Sequence, residues 1–145
     1  MSIGYQGNGS LKPGIHDITW DQFEFEYGYN IKRSNLIAGL KMAIVDLKSA
    51  GCNKVYIDGS FVSKKMDPND YDACWDLRGV DLQKLKNEHP LFFDLDNGRA
   101  NQKAYYKGEW FPASLIAKLN PKMLYIDFFQ YDKENNRKGI ICMNI

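Results

Sequence analysis

The chain lacks the marks of several common protein classes. Its three cysteines, Cys52, Cys74 and Cys142, are odd in number and show no Cys-x-x-Cys spacing, which argues against a disulfide framework or a cysteine zinc site. Only two histidines are present, His16 and His89, far apart and without a local signature of a Ser/His/Asp or Cys/His nucleophile. No apolar run approaches the ~20 residues of a membrane span. The opening Met1-Ser2-Ile3-Gly4-Tyr5 has neither the basic nor the apolar region of a signal peptide, so a cytoplasmic protein with no membrane partner is expected. Charge of one sign is also missing. Nineteen Lys and Arg stand against 18 Asp and Glu, a formal net charge of +1 that gives no electrostatic footprint for unspecific DNA binding.

What is present suits one domain. A chain of 145 residues that is 44% hydrophobic and 14% aromatic can fill a core, and it contains no internal repeat or linker. A single domain over residues 1–145 is expected, with residues 1–14, rich in Gly, Asn, Ser and Pro, as an extended arm. Thr19 is placed to cap a short helix through Trp20, Phe23 and Tyr27. Leu36, Ile37, Leu40, Ile44 and Leu47 recur at helical spacing and predict a long helix from Ser34 or Asn35 to about Ala50. Lys32 and Arg33 at its start are either open to an anion or a solvated helix entrance. Further on, residues 81–88 suggest a short helix, 91–96 a strand or irregular segment, 99–107 a polar helix and 113–119 another short helix. Tyr105, Tyr106, Trp110 and Phe111 form a satellite core or a base-stacking surface. Residues 123–130 read as a strongly hydrophobic strand, 131–139 as a polar hairpin turn and 140–145 as a closing strand.

The most informative stretch is residues 54–76. Val55, Tyr56 and Ile57 are β-prone, Gly59-Ser60 forms a corner that admits close backbone approach to a ligand, and Lys64 and Lys65 follow in a polar turn. In the next strand side chains alternate, so Asp70, Asp72, Cys74 and Asp76 share one face while Tyr71, Ala73 and Trp75 share the other. Carboxylates at i and i+2 raise one another's pKa unless something compensates. A divalent cation is the usual remedy, since Mg²⁺ is typically held by one or two carboxylates plus substrate phosphates. The plainer alternative is a solvated acidic turn beside a lysine-rich loop. Asp94 and Asp96 make a second such pair, but no glycine-serine corner precedes it.

Asp127 stands alone between Ile126 and Phe128, where a carboxylate is expensive to bury unless paired. Asp70, Asp72 and Asp127 together would surround one or two Mg²⁺ or Mn²⁺ ions gripping a nucleoside triphosphate (NTP), with Asp127 placed to help deprotonate an attacking hydroxyl.

Gly59-Ser60, a nine-residue spacer and Asp70-Tyr71-Asp72 resemble the Gly-Ser, spacer, Asp-x-Asp signature of the nucleotidyltransferase superfamily that includes DNA polymerase β, and the small size is similar to its minimal members. A narrower resemblance, to a family of small uncharacterised bacterial and phage proteins, spans nearly the whole chain. It is carried by Pro13-Gly14-Ile15-His16, Ala50-Gly51-Cys52, residues 56–62 and 70–75, Asp127-Phe128-Phe129-Gln130 and Lys138-Gly139-Ile140. The superfamily resemblance implies an α+β fold with a mixed β-sheet flanked by helices. It puts Gly59 and Ser60 at the triphosphate, where the loop's own Lys64 and Lys65 are expected to help receive the phosphates, and Asp70, Asp72 and Asp127 as metal ligands and catalytic carboxylates. The reaction implied is transfer of a nucleoside monophosphate to a hydroxyl of a protein or RNA acceptor, releasing pyrophosphate. Because no second domain that would bind an acceptor is evident, the acceptor, or a partner presenting it, is expected to come from outside. The alternative is a weakly catalytic or non-catalytic partner-binding protein, such as one that meets a cognate toxin in a toxin-antitoxin or phage-defence system.

Overall fold

A computed structural model describes residues 3–145. Of the expected arm, residues 1 and 2 lie outside the described residues. The architecture is mixed α+β. A five-stranded mixed sheet carries the core, with β1 (Gly14–Asp17), β2 (Lys54–Asp58), β3 (Tyr71–Trp75), β4 (Gly108–Pro112) and, after the short β5 (Ile116–Lys118) and β6 (Met123–Leu124), β7 (Gly139–Asn144). Its order is β1-β7-β2-β3-β4, antiparallel in the middle and parallel at both edges, while β5 and β6 form a separate two-stranded sheet.

Strand alternation sorts the two faces as the sequence predicts. Val55, Ile57, Tyr71, Ala73, Trp75, Trp110 and Ile141 turn to one face and join a single apolar core with helices α1 (Trp20–Tyr27), α2 (Ile31–Ser49), α3 (Leu82–Glu88) and α4 (Ala100–Tyr106). Tyr56, Cys74, Phe111, Ile140 and Cys142 turn to the other face. There they meet Phe129 and the half-buried Tyr125 and Ile126, on or just after the four-residue helix α5 (Tyr125–Phe128). This second face is only partly covered. It is where the charged ends of the strands emerge.

Local signals account for most element boundaries. Thr19 accepts from the Gln22 amide while the Gln22 side chain returns to the Thr19 amide, a reciprocal cap at the start of α1. Helix α2 begins a turn earlier than Ser34, because Asn30 accepts from the Arg33 amide and caps it there. Two segments depart from expectation. Residues 113–119 hold strand β5 rather than a helix, and 123–130 hold β6 followed by α5 rather than one strand. The Tyr125 amide donates to Leu115 and the Ile126 amide to Ala113, so the chain turns over the sheet instead of joining it.

The parallel β3–β4 pair is fixed to the helical layer by a buried polar network. Trp110 Nε1 donates to Tyr71 Oη (2.9 Å), which donates to the Tyr106 carbonyl (2.8 Å). Gln102, fully buried, accepts from the Trp110 amide and donates to the Leu91 carbonyl. Buried networks of this kind hold one register because any slip leaves donors unsatisfied. The register places Asp72 opposite Asp58 on one side and opposite Glu109 on the other.

Arg33 holds the loop after the glycine-serine corner. It is fully buried and donates to the carbonyls of Tyr27, Phe61, Ser63, Lys65 and Met66, with its guanidinium 4.9 Å from the rings of Tyr29 and Phe61. It is therefore not open to an anion. Its neighbour Lys32 donates to Asn69 (2.9 Å).

Candidate active site

The site is built where three adjacent strands bring carboxylates to one level of the sheet. Asp58 ends β2, Asp72 lies in β3 and Glu109 in β4, and the two registers set them side by side in the order 58, 72, 109. Asp70, just before β3, is half-buried and adds a fourth charge close enough to act on Asp72. Gly59 follows Asp58 with φ +89°, a conformation that favours glycine, and a Cβ there would lie 2.8 Å from Asp72 Oδ2. The corner thus needs glycine for two reasons, backbone angle and room for the carboxylate.

The electrostatics follow from crowding under burial. Burial, then a hydrogen bond and repulsion from Glu109, then the charges of Asp58 and Asp70, push the Asp72 carboxyl up to about 8. Burial also acts to raise Glu109, but the hydrogen bond from Asp72 and the Arg99 guanidinium outweigh it and hold that carboxyl below its ordinary range. Arg99 donates from Nε to Glu109 at 2.7 Å, and Lys103 stands at 3.9 Å. The pair shares one proton, carried by Asp72 and directed to Glu109. Burial raises Asp70 as well, reinforced by Glu109 and offset by Lys103 and Lys65. Asp58 is raised by burial against the pull of Lys138. Lys138 Nζ lies 2.9 Å from Asp58 Oδ1 but off the angle of a good hydrogen bond, which leaves that buried oxygen with a cation beside it and no aligned donor.

Two cavities open beside these groups. A small one of about 230 Å³ runs between Gly59, Ser60 and Ser63 and the arm residues Asn8 and Ser10, with Asp58 and Lys138 at its wall. A larger one of about 570 Å³ is lined by Asp58, Asp72 and the basic residues Lys118, Lys133 and Lys138. They share Asp58, Asp132 and Lys138.

The expected site residues divide in two. Gly59, Ser60, Asp70 and Asp72 are brought into one neighbourhood. Asp127 is not brought into it. Because residues 125–128 form a helical turn instead of a strand, Asp127 is exposed and lines a different cavity, and it is not among the charges that act on Asp72. Nor do Lys64 and Lys65 line either cavity at the carboxylates. Lys64 Nζ sits 4.4 Å from the Tyr5 ring, and Lys65 reaches the site only through its charge on Asp70. Two residues that sequence reasoning passed over, Asp58 and Glu109, complete the row. Glu109 follows Lys107-Gly108 and only opens the apolar run Trp110-Phe111, so it lacked the apolar flanks on both sides that singled out Asp127.

Among the described residues no three Asp, Glu, His or Cys side chains converge tightly enough to ligate one ion alone. The donor set still suits a hard cation that completes its shell with phosphate and water oxygens, because Asp72 and Glu109 hold between them a proton that a cation would replace. No helix among the described residues is long and apolar enough to cross a membrane.

The DUF6932 family, a family of unknown function, matches residues 3–144. The chain belongs to DUF6932. No curated protein and no solved structure matches the chain. The match extends over both the strand-borne carboxylates and the arm that walls the smaller cavity, so this DUF6932 chain presents its whole candidate site within the family's span.

Proposed function

We propose that this DUF6932 protein is a metal-dependent nucleotidyltransferase with a polymerase β-like fold, and that its acidic set is Asp70, Asp72 and Glu109 rather than Asp70, Asp72 and Asp127. The observation that carries the reading is the row of carboxylates across β2, β3 and β4, Asp58 buried and Asp72 and Glu109 half-buried, so crowded that the Asp72 carboxyl is pushed up to about 8 beside a cavity lined by lysines. A protein gains nothing for stability by crowding acids in this way. Clustered, perturbed carboxylates beside a cavity mark a functional site.

In this reading Asp70, Asp72 and Glu109 hold Mg²⁺ or Mn²⁺, which would supply charge neutralisation for the triphosphate and for the oxygens that gain charge during transfer. Gly59 and Ser60 line the smaller cavity and receive phosphate oxygens there, while Lys133 at the larger one offsets phosphate charge. The acceptor oxygen forms a bond to the α-phosphorus. The bond from that phosphorus to the bridging oxygen breaks, pyrophosphate leaves with the electron pair, and the hydroxyl proton passes to Glu109, the carboxyl held most nearly ionised. Most of such catalysis is positioning and fixed charge, which a small scaffold can supply.

A second reading, a partner-binding protein of a toxin-antitoxin or phage-defence pair, is favoured by the exposed apolar side chains Phe25, Ile31 and Met66. Incubation with each labelled NTP, Mg²⁺ or Mn²⁺ and host lysate separates the two. Label transfer by the wild type, lost in Asp70→Asn plus Asp72→Asn and in Glu109→Gln, is the expected result. Transfer unaffected by those substitutions refutes the site, and no transfer with any NTP favours partner binding.

A further inference from the structure

A third cavity, of about 540 Å³, adjoins the carboxylate cavity and has a different character. The two share Lys118, Met123, Tyr131 and Asn135, so they lie side by side along one surface trough with these residues between them. The outer part is lined by Lys118, Lys122 and Arg137 against a single acid, Asp127. None of these three cations makes an ion pair within 4 Å among the described residues, whereas Lys103 and Lys138 at the inner site are both committed to carboxylates. In a chain whose formal net charge is only +1, three unpaired cations around one hollow are a local excess. A concave wall focuses their field, and an anion entering there is held by charge and by hydrogen bonds together. The Gln130 and Asn135 amides and the partly buried Tyr131 supply neutral contacts along the same wall.

We propose that this outer cavity is an acceptor subsite for a phosphate-bearing molecule, whose phosphate rests on Lys118, Lys122 and Arg137 while its hydroxyl faces the Asp72 end of the trough. The proposal rests on the nucleotidyl transfer argued above and names the chemistry of the acceptor. An unphosphorylated protein hydroxyl leaves the three cations without a counter-charge, whereas a nucleotide or the phosphodiester end of a nucleic acid strand supplies one. The volume lies within the roughly 300–1,000 Å³ range of small-molecule sites. It also gives Asp127 a defined effect. As the one acid in the subsite it weakens anion binding, so its removal acts in the opposite direction to removal of the cations.

Binding is measured directly, without turnover, by fluorescence anisotropy with a labelled single-stranded oligoribonucleotide and by competition with a ribonucleoside 5′-monophosphate. These two arms distinguish a strand end from a free nucleotide as the source of the phosphate. Lys118→Gln plus Arg137→Gln should weaken binding of whichever probe the wild type takes by at least about tenfold. For the strand, the double variant should lower the slope of log affinity against log salt by about 1.4, at ~0.7 for each phosphate charge no longer neutralised. Asp127→Asn should tighten binding, a change that damage to the fold does not produce. Failure of both probes to bind, binding indifferent to the double substitution, or equal binding of an unphosphorylated acidic peptide overturns the subsite. Label transfer to protein that the double variant leaves unchanged also overturns it while leaving nucleotidyl transfer standing. Phosphate-dependent binding as described, with no transfer from any NTP, keeps the subsite and removes the enzymatic reading.

Discussion

The shared proton of Asp72 and Glu109 makes stability depend on pH in a defined direction. The perturbation is Glu109→Gln, which keeps the shape and removes the charge that, after burial, does most to raise Asp72. Asp72 moves from an ordinary 3.8 to about 8 in the folded state. An acid raised on folding binds its proton more tightly in the native chain, so its contribution is fully present below about pH 4 and is lost as pH rises toward 8. One such proton gives a slope of about 1.4 kcal/mol per pH unit within that window. Because Asp58, Asp70 and Glu109 respond together with Asp72, the titration belongs to the cluster. Urea unfolding of the wild type from pH 5 to pH 8 should therefore lose stability at a slope approaching that value. In Glu109→Gln the slope should be shallower and the Asp72 midpoint lower, at the expense of roughly 1 kcal/mol from the partly exposed Arg99 ion pair. Following Asp carboxyl carbons by ¹³C NMR keeps the two histidines out of the signal. Stability that is flat across this range, or an Asp72 midpoint that Glu109→Gln leaves in place, refutes the account of the shared proton.

Three further substitutions test the scaffold around the site. Lys138→Met leaves Asp58 buried without its cation and should lower unfolding free energy by about 3–5 kcal/mol, while the double change Lys138→Met plus Asp58→Asn should recover most of the loss in the same urea titration. Gly59→Ala, placed at positive φ and against the Asp72 carboxylate, should cost about 1–3 kcal/mol. A loss under about 0.5 kcal/mol would mean that the corner tolerates a Cβ. Arg33→Met removes the donor to five carbonyls, and amide hydrogen exchange should show loss of protection around residues 61–66 even where the rest of the sheet stays protected.

Local chemistry was legible in the sequence and long-range pairing was not. Thr19 as a helix cap, the apolar stripe of α2 and the alternation from Tyr71 to Trp75 are all short-range patterns, and each appears in the structure as read. That Asp70 and Asp72 crowd one another followed from their spacing alone. Their further neighbours depend on which strand lies beside β3. The antiparallel partner β2 is close in sequence and supplied Gly59, but the parallel partner β4 arrives only after α3 and α4, and its register rests on the buried Tyr71, Trp110 and Gln102 network. Glu109 was hidden for that reason. Asp127 misled because Tyr125-Ile126-Asp127-Phe128 is apolar enough for a strand, yet the Tyr125 and Ile126 amides bond back to Leu115 and Ala113 and close a helical turn. Arg33, placed at a helix entrance by its sequence position, is drawn inward by carbonyls of a loop about thirty residues away.

Mn²⁺ binding by electron paramagnetic resonance, in the presence of a non-hydrolysable NTP, tests the acidic set most directly. Wild type and Asp127→Asn should bind the ion alike, and Asp72→Asn and Glu109→Gln should each weaken it at least about tenfold. Binding lost in Asp127→Asn, or retained in full when Asp72 and Glu109 are both neutralised, would contradict the row of strand-borne carboxylates as the metal-holding centre.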